Sequence, residues 1–493
     1  MVASAGDRFG DAEAVVDRSL RLSFAGLAER VRVAAGAFRS AGVGPGDRVV
    51  IWAPNSAEWI VAAFGLLTAG GVLVPVSSRY QAAEAGEIIG RSEAKLVLVR
   101  DKFLGHDYRA PAGVPVIDLA SDFLSSGSSY AARVGGDDPC DIFFTSGTTG
   151  RSKGVVMRHA QTVRAWVDWC SLTGLRAGDR YLIVSPFSHV FGYKAGCVAA
   201  TIAGAAMLPV AVFDAPSVLD LVEREKVTVL PGPPTLYHSL LSAASGRDLS
   251  SLRLAVTGGA DIPVELVRRI RSELPFEAVL TGYGLTEAGG TVSLSRLGDS
   301  PEDIATTAGL PCDGARVAIA PDGEVLVRGY RVMSGYLDDP AATAQAVDTS
   351  GWLHTGDLGE LDGRGRLRIT GRKKDVFFTG GFNVYPAEVE GFLLEHPAVA
   401  QAAVVGVPDD RLGSVGKAFV VLSVAGADVS EADLIAWGRS RMAGFKVPRS
   451  VEFVAVLPVN AAGKVDKLLL MPKLPTPLQT PQTSSPPQRA STA

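Results

Sequence analysis

The chain has 493 residues, of which 47% are hydrophobic and 20% are charged, so it exceeds one ordinary domain and can bury a sizeable core. Its formal net charge is −4 at pH 7 and no long block of lysine and arginine occurs, which argues against nucleic acid as the main partner. Local cations are therefore expected to serve a small anionic ligand.

The cysteines and the N-terminus indicate a cytoplasmic protein. Four cysteines are scattered without C-x-x-C spacing, which argues against a zinc cluster or a disulfide framework and fits a reducing compartment. The N-terminus lacks the charged-then-apolar pattern of a secretory signal.

Apolar strand-like runs alternate with amphipathic helical stretches as far as about residue 371. This alternation predicts layered α/β packing. The predicted helices include 24–41 and 263–274, and the predicted strands include 48–52, 72–76, 95–99, 227–230, 254–257 and 278–281.

The segment FFTSGTTGRSKG, from Phe143 to Gly154, is the most informative motif of the chain. Hydroxyl residues and glycines precede two cations, which suits a loop whose backbone N–H groups surround a phosphate chain. A Walker P-loop is disfavoured because the order of residues differs and the flanking apolar runs predict strand, loop, strand. A plain surface turn is the remaining alternative. The predicted phosphate contacts are Thr145, Ser146, Gly147, Thr148, Thr149, Gly150 and Lys153.

The run from Ala195 to Phe213 is nearly continuous in apolar residues and long enough to suggest a membrane span. Gly204 and Pro209 interrupt it, and it is rich in alanine and glycine. We therefore predict a buried helix followed by a buried strand, and no membrane span.

The texture changes to short strands between residues 313 and 369. Asp322-Gly323 and Asp362-Gly363 each lie between strand-like runs, which is a hairpin signal. A β-rich subdomain is expected there, within a large N-terminal domain that spans 1–371.

A small α+β domain is predicted after a hinge at 372–375 and spans 376–472. Its predicted elements are helices near 387–396 and 431–442 and strands at 400–407, 417–422 and 450–456. The tail 473–493 is rich in Pro, Gln, Ser and Thr, so it is expected to be disordered.

Five further motifs follow the phosphate loop in order. They are YGLTE from Tyr283, WLHTGD from Trp352, GRKKD from Gly371, GGFNVYPAEVE from Gly380 and NAAGK from Asn460. Together they resemble the adenylate-forming superfamily of acyl-CoA synthetases, peptide-synthetase adenylation domains and luciferases, over nearly the whole chain except the tail. The resemblance implies a ligase that converts a carboxylate and Mg·ATP into acyl-adenylate and pyrophosphate, after which coenzyme A displaces AMP.

The resemblance also implies roles in the nucleotide site. Glu287 is expected to hold Mg²⁺, with Thr286 at the α-phosphate, because two anions must be brought together before attack. Asp357 is expected to bind the ribose with help from Arg372, although an Asp in a hairpin turn is an alternative. Tyr283 is expected to stack on adenine, unless it is an ordinary core aromatic. The remaining nucleotide contacts implied are Gly259, Ala260 and Gly284.

Lys464 is the implied catalytic cation, which bridges the substrate carboxylate and the α-phosphate. Lys374 matches the family's hinge, about which the small domain is expected to rotate after adenylation. The loop that contains Gly380, Gly381 and Phe382 is then expected to line a tunnel for the pantetheine thiol, although the two glycines also suit a simple tight turn.

The acid is expected to bind between 186–196, 231–235 and 258–260, with His189 as a catalytic or gating residue or else a packed structural histidine. The residues assigned to this pocket are His189, Val190, Tyr193, Lys194, Gly232, Pro233, Gly258 and Gly282. No Asp occurs between Ser185 and Gly196, which disfavours an amino acid. Lys194 is expected to meet a ketone or second carboxylate of the substrate, or to extend its ammonium to water.

The runs GYKAG and LPGPPT are similar to those of actinobacterial ligases for steroid- or terpenoid-derived acids, which favours a polycyclic acid over a straight fatty acid. The alternatives are a medium- or long-chain fatty acid-CoA ligase, an enzyme that passes the acyl group to a carrier protein or partner enzyme, and a catalytically silent sensor or scaffold. The expected ligands are the acid, ATP and coenzyme A. The oligomeric state is left open, with a homo-oligomer among the outcomes.

Overall fold

The computed structural model describes residues 1–471 except 106–107, 109, 146–151, 259–261, 263, 381, 424–428 and 461–463. The tail 473–493 lies outside the described residues. Across the described ranges, no helix is both long and apolar enough to cross a lipid bilayer.

The strands alternate with helices through the first two thirds of the chain, as the sequence predicts. The strands are β1 (Glu13–Asp17), β2 (Leu20–Ser23), β3 (Arg48–Trp52), β4 (Val72–Val76), β5 (Leu96–Val99), β6 (Val116–Asp118), β7 (Pro139–Thr145), β8 (Lys153–Arg158), β9 (Arg180–Ile183), β10 (Ala206–Pro209), β11 (Val229–Pro231), β12 (Leu254–Gly258), β13 (Ala278–Tyr283), β14 (Ser293–Leu294), β15 (Leu310–Pro311), β16 (Arg316–Ile319), β17 (Glu324–Arg328), β18 (Gly335–Tyr336), β19 (Leu353–Leu361), β20 (Leu367–Arg372), β21 (Phe377–Thr379), β22 (Phe382–Val384), β23 (Val399–Asp409), β24 (Gly413–Leu422) and β25 (Ser450–Phe453).

The α-helices are α1 (Val2–Phe9), α2 (Phe24–Ser40), α3 (Ala57–Thr68), α4 (Ala82–Arg91), α5 (His159–Thr173), α6 (Ala199–Ala203), α7 (Ala215–Glu225), α8 (Pro234–Ala243), α9 (Val264–Glu273), α10 (Pro301–Thr306), α11 (Pro340–Ala346), α12 (Pro386–Leu394) and α13 (Glu431–Arg439). A π-helix covers Phe191–Val198 and runs directly into α6. Serine side chains cap the starts of α2 and α3. Ser23 Oγ accepts a hydrogen bond from Gly26 N at the start of α2, and Ser56 Oγ accepts one from Trp59 N at the start of α3.

Two large sheets form the body of the molecule. One has nine strands in the order β15-β14-β13-β12-β11-β9-β10-β1-β2, and the other has seven in the order β18-β8-β7-β4-β3-β5-β6. The largest apolar core lies between them, where α2, α3, α5 and the π-helix contribute buried side chains that include Trp59, Trp166 and Tyr193. Because both sheets bury one face on the same helices, the layered arrangement follows from the apolar strands seen in the sequence.

Two smaller sheets complete the fold. The first has the order β16-β17-β19-β20, and both predicted Asp-Gly hairpins occur in it, between β16 and β17 and between β19 and β20. The second contains β22-β21-β24-β23, with β25 pairing parallel to β24, and packs on α12 and α13 around a separate small core. The predicted class, a large α/β part and a smaller α+β part, is confirmed.

Between residues 195 and 209 the apolar run forms a helix and a buried strand, as predicted, whereas Val212 and Phe213 beyond the strand are exposed. The π-helix and α6 end at Gly204, whose φ of 80° places it in the left-handed region that favours glycine. β10 follows and is fully buried in the nine-stranded sheet.

Candidate active site

Four parallel strands bring the predicted acyl and nucleotide segments to one edge of the nine-stranded sheet. β9, β11, β12 and β13 pair in parallel, so their carboxyl ends lie side by side. These ends lead to the His189 segment, to Gly232-Pro233, to Gly258 and to Gly282-Tyr283. In open α/β sheets, this edge is where ligands bind.

Close backbone approach explains several of the glycines at this edge. A Cβ on Gly258 would lie 2.8 Å from the Gly282 carbonyl oxygen, and one on Gly282 would lie 2.8 Å from the Ser293 carbonyl oxygen. A Cβ on Gly284 would lie only 2.1 Å from the Gly290 carbonyl oxygen. Larger residues would push the strands and the following loop apart.

Glu287 lies in a single helical turn, Thr286–Ala288, just beyond β13, and both residues of the Thr286-Glu287 pair are half-buried. Glu287 Oε1 accepts hydrogen bonds from Thr145 Oγ1 at 3.2 Å and from Tyr336 Oη at 3.1 Å. Thr145 is the last residue of β7, directly before the phosphate loop. The predicted metal ligand is therefore in contact with Thr145, one of the predicted phosphate contacts.

Asp357 is buried in β19 rather than placed in a hairpin turn, so the turn alternative is wrong. Tyr283 Oη donates to Asp357 Oδ2 at 2.6 Å, and Arg372 Nε lies 3.0 Å from Asp357 Oδ1. Burial, and then the charge of Asp357, raises the pKa of Tyr283, so its hydroxyl keeps the proton that it donates. Half-buried Tyr283 is thus held by a polar contact and is not only a packing residue.

Lys464 belongs to the C-terminal part but lies among charged groups of the large part. Burial, followed by the charge of Arg372, lowers the pKa of the Lys464 ammonium. The carboxylates of Asp357 and Glu287 are also close enough to act on it, in the opposite direction. Its backbone N–H donates to Asn460 Oδ1 at 3.1 Å, which ties Lys464 to the first residue of the NAAGK motif.

His189 is close enough to Lys464 for the lysine charge to act on it. Burial, followed by the charge of Lys464, lowers the pKa of His189 to about 4, so the imidazole is neutral at pH 7. Its Nδ1 accepts a hydrogen bond from the Phe191 backbone N–H at 3.2 Å, which places the ring proton on Nε2. His189 is half-buried, and its catalytic or gating role stays a prediction.

Val190, Gly232 and Pro233, which are also predicted to line the acyl pocket, differ in how far they are buried. Val190 is buried against Gly290, since a Cβ on that glycine would meet Val190 Cγ1 at 2.5 Å. Pro233 is half-buried and caps α8, and Gly232 is buried beneath Leu236. These residues lie beside the loop that carries Glu287 or at the end of β11.

Tyr193 and Lys194 are both buried in the protein interior, and the assignment of Tyr193 to the acyl pocket stays a prediction. Tyr193 is 1% exposed and its ring packs between Trp59 and Phe143 in the central core. Lys194 is fully buried, so the prediction that its ammonium extends to water is wrong. The geometry of the π-helix directs both side chains inward.

The partner of Lys194 is a carboxylate of the chain itself, not a substrate group. Lys194 Nζ lies 3.0 Å from Asp141 Oδ1 and donates to Thr162 Oγ1 at 3.0 Å. Cys140 Sγ donates to Asp141 Oδ2 at 2.9 Å, and burial and the Asp141 charge raise the pKa of that thiol. The ion pair is compensated internally, as a buried pair must be.

Of the other predicted site residues, Lys153 pairs with Thr145 across β7 and β8, while the rest lie elsewhere or outside the described residues. Lys153 is half-buried at the start of β8, whereas Lys374 is exposed in the turn between β20 and β21. Gly380 and Phe382 line a cavity of about 300 Å³ in the C-terminal part, together with Arg411, Phe445 and Arg449. The predicted residues that fall outside the described residues are Ser146, Gly147, Thr148, Thr149, Gly150, Gly259, Ala260 and Gly381.

The sequence alone does not single out Tyr336, which contacts Glu287 from 49 residues further along the chain. It follows a glycine in a two-residue strand, which is too short to carry a periodic signal. Only the pairing of β18 with β8 brings it to the site.

Comparisons with known proteins decide the family. The model of the AMP-binding enzyme family matches residues 2–337, and that of the AMP-binding enzyme C-terminal domain matches residues 388–464. The chain belongs to the AMP-binding enzyme family. The prediction of an AMP-forming acid–thiol ligase is confirmed at the level of this family.

Two relatives of this AMP-binding enzyme share the name 3-[(3aS,4S,7aS)-7a-methyl-1,5-dioxo-octahydro-1H-inden-4-yl]propanoyl:CoA ligase. The one from Rhodococcus jostii is 46% identical, with 94% of this chain and 96% of the relative covered. The one from Mycobacterium tuberculosis is 48% identical, with 93% and 95% covered. The predicted similarity to actinobacterial ligases for steroid-derived acids is thus confirmed.

Solved structures agree with this assignment. ATP-bound MatB from Rhodopseudomonas palustris superposes with a TM-score of 0.85 at 30% identity, over 95% of this chain and 97% of that one. o-Succinylbenzoate CoA synthetase from Bacillus subtilis, in complex with the acyl-adenylate OSB-AMP, gives a TM-score of 0.83 at 28% identity, over 94% and 96%. This AMP-binding enzyme therefore has the fold of proteins that bind ATP and acyl-adenylates.

Proposed function

We propose that this protein is an ATP-dependent acyl-CoA ligase that activates a polycyclic propanoic acid of the dioxo-octahydro-indenyl type. The observation that carries the proposal is the convergence of Lys464 with Glu287, Asp357 and His189. These residues come from four separate parts of the sequence, and a scaffold without chemistry has no need to assemble them. The choice of acid rests on the names of the relatives, which cover nearly the whole chain.

In the first step, the carboxylate of the acid attacks the α-phosphate of ATP and pyrophosphate leaves. Two anions must approach, so the positive charge of Lys464 is placed where negative charge develops. The Nε2 proton of neutral His189 is available to an oxygen of the carboxylate on the side that faces the acyl pocket. Asp357, with Arg372 beside it, is proposed to hold the ribose.

The residues at Glu287 fit a magnesium ion. Mg²⁺ is usually held by one or two carboxylates together with substrate phosphates, and it keeps several waters. Glu287 supplies one half-buried carboxylate next to the end of β7. Among the described residues no group of three or more His, Cys, Asp or Glu side chains is arranged to hold a metal, so the phosphates would complete the set. The ion would neutralise phosphate charge there.

In the second step, the thiol of coenzyme A displaces AMP from the acyl-adenylate. The cavity at Gly380 and Phe382 supports this step, because Arg411 and Arg449 line it and suit an anionic ligand. Phe382 is 59% exposed and stacks on Phe445 with ring centroids 4.8 Å apart. We propose that this face of the C-terminal part is presented to the acyl-adenylate after Lys464 withdraws.

A panel of acids, assayed for ATP-dependent pyrophosphate release with and without coenzyme A, tests the proposal. The panel contains the dioxo-octahydro-indenyl propanoic acid, its analogue without ring ketones, ferulic acid, and saturated fatty acids of medium and long chain. We expect the bicyclic acid to give the highest kcat/KM and to yield a CoA thioester. A higher kcat/KM for fatty acids would overturn the choice of acid, and adenylate formation without thioester would overturn the choice of acceptor.

A further inference from the structure

Tyr336 connects two parts of the site that the sequence keeps far apart. It lies in β18, which pairs antiparallel with β8 so that Tyr336 is opposite Val155. From this position the half-buried side chain reaches Glu287, to which its hydroxyl donates at 3.1 Å. The contact joins the sheet edge next to the phosphate loop to the proposed metal ligand.

Within the part of the chain that the structure describes, the two hydrogen bonds to the Glu287 carboxylate go to the same oxygen. Oε1 accepts from Tyr336 Oη and, at 3.2 Å, from Thr145 Oγ1. Hydrogen bonds to an ionised carboxylate are stronger than neutral ones, and two of them fix its rotation. Oε2 is thereby directed to one side, where a cation would receive a carboxylate of defined orientation.

The ring of Tyr336 makes a second, independent contact. Lys153 Nζ lies 4.9 Å from the centroid of the Tyr336 ring, within the range of a cation–π interaction. The hydroxyl of Tyr336 thus contacts the Glu287 carboxylate, and its ring contacts the Lys153 ammonium.

We propose that Tyr336 is a positioning residue that orients Glu287 toward the magnesium of Mg·ATP while its ring supports the Lys153 ammonium. The inference rests on the proposed role of Glu287 as metal ligand. The two functions of the side chain are separable, because a phenylalanine keeps the ring and loses only the hydroxyl.

The test measures how much Mg²⁺ tightens the binding of a non-hydrolysable ATP analogue to the full chain, from dissociation constants with Mg²⁺ and with EDTA. Groups that orient a metal ligand are worth on the order of 10-fold or more in metal affinity, so Tyr336→Phe should reduce the tightening by about 10-fold. Its metal-free dissociation constant and its KM for the acid should stay close to wild type. Tyr336→Leu should also weaken metal-free binding, because Lys153 loses the ring.

Tyr330→Phe is the matched control. Tyr330 also donates its hydroxyl to a carboxylate, that of Asp168, and to the Asp313 carbonyl oxygen at 3.1 Å, but it does not contact Glu287. This variant should show the wild-type effect of Mg²⁺, which separates a positioning role from a general cost of removing a hydroxyl from a half-buried tyrosine.

Glu287→Gln distinguishes failure of this inference from failure of the proposed function. If Glu287→Gln loses the effect of Mg²⁺ and Tyr336→Phe keeps it in full, Glu287 is the metal ligand and Tyr336 does not position it. If Glu287→Gln keeps the effect and releases pyrophosphate normally, the metal role of Glu287 falls and the inference falls with it.

Discussion

Lys464 is the residue on which the proposed first step depends most. Replacement by alanine should lower ATP-dependent pyrophosphate release by about 100- to 1000-fold, because one preorganised charge at the developing transition state is lost. Binding of the ATP analogue should change little, since Tyr283, Asp357 and the phosphate loop remain. Lys467→Ala is the control, because Lys467 pairs with Glu390 at 2.7 Å and lies outside the site. Near-normal pyrophosphate release by Lys464→Ala would remove the lysine from the mechanism.

The lowered pKa of His189 predicts how the stability of the protein depends on pH. Its pKa in the folded protein is about 4, below the value near 6.5 of an unfolded chain. The unfolded state therefore binds more protons between these values, and this residue's contribution to stability is lost as the pH falls from about 6.5 towards 4. The urea midpoint of the wild type should fall more between pH 7.5 and pH 5 than that of His189→Gln. Equal falls in the two proteins would contradict a lowered pKa of His189 in the folded protein.

At the scale of elements, the buried pair of Lys194 and Asp141 ties the π-helix to β7. The π-helix follows His189 and β7 ends at Thr145, so the pair joins the acyl segment to the strand that leads into the phosphate loop. π-helical turns are often found at functional sites, and this one is fixed by an ion pair. The buried ion pair thus stabilises the position of the π-helix relative to β7, on the core side of the candidate site.

Replacing only one member of the ion pair should lower the free energy of unfolding more than replacing both members. Lys194→Met leaves the Asp141 carboxylate buried without its cation, which typically costs ~3–5 kcal/mol. The double variant Lys194→Met/Asp141→Leu should regain most of that stability, because two apolar side chains of similar size replace the charges. Urea unfolding of the two variants and the wild type checks this order. If Lys194→Met is as stable as the wild type, the ion pair does not stabilise the fold.

The elements themselves were largely predictable, and these contacts between them were not. Strands such as β3 and β4 fall at the predicted residues because continuous apolar runs bounded by turn residues leave few alternatives. The pairing of Lys194 with Asp141 depends on how the π-helix packs on a sheet, which no local pattern encodes. The sequence suggested a free lysine in the pocket for that reason.

For the whole molecule, the decisive feature is the short connection between the large part and the C-terminal part. β20 belongs to one sheet and β21 to another, and Lys374 lies between them, exposed in a turn. Lys373 on one side of it is anchored, since its Nζ lies 2.7 Å from Asp322 and its backbone N–H donates to the Gly356 carbonyl. A rotation of the C-terminal part would therefore be concentrated at Lys374 and the residues after it.

Lys374→Pro should separate the two steps of the reaction. Proline fixes φ near −65° and restricts the preceding residue, so rotation about this segment should be hindered. Thioester formation should fall by about 10-fold or more, while pyrophosphate release in the absence of coenzyme A should stay close to wild type. Lys374→Ala, which leaves the backbone free, should spare both steps. An equal loss of both steps in the proline variant would argue against a hinge at this position.

The motifs predicted which residues of the two parts belong together, because their order along the chain matches a known family. They could not predict the arrangement in which Lys464 lies next to Asp357 and Glu287, since that depends on how the C-terminal part docks. Nor could they indicate Tyr336, which reaches the site only through a sheet pairing. The family resemblance thus predicted which residues belong to the site, whereas their contacts with one another are seen only in the folded structure.

Asp357 has a consequence for turnover. Its two oxygens are already engaged by Tyr283 and Arg372 before any nucleoside arrives. If Asp357 binds the ribose as proposed, an incoming ribose would exchange existing bonds for new ones and would gain less affinity than from an unpaired carboxylate. On departure of AMP, Tyr283 and Arg372 would contact the aspartate again, so that no uncompensated anion would be left inside the protein. The proposed role thus predicts easier release of AMP and a lower affinity for it.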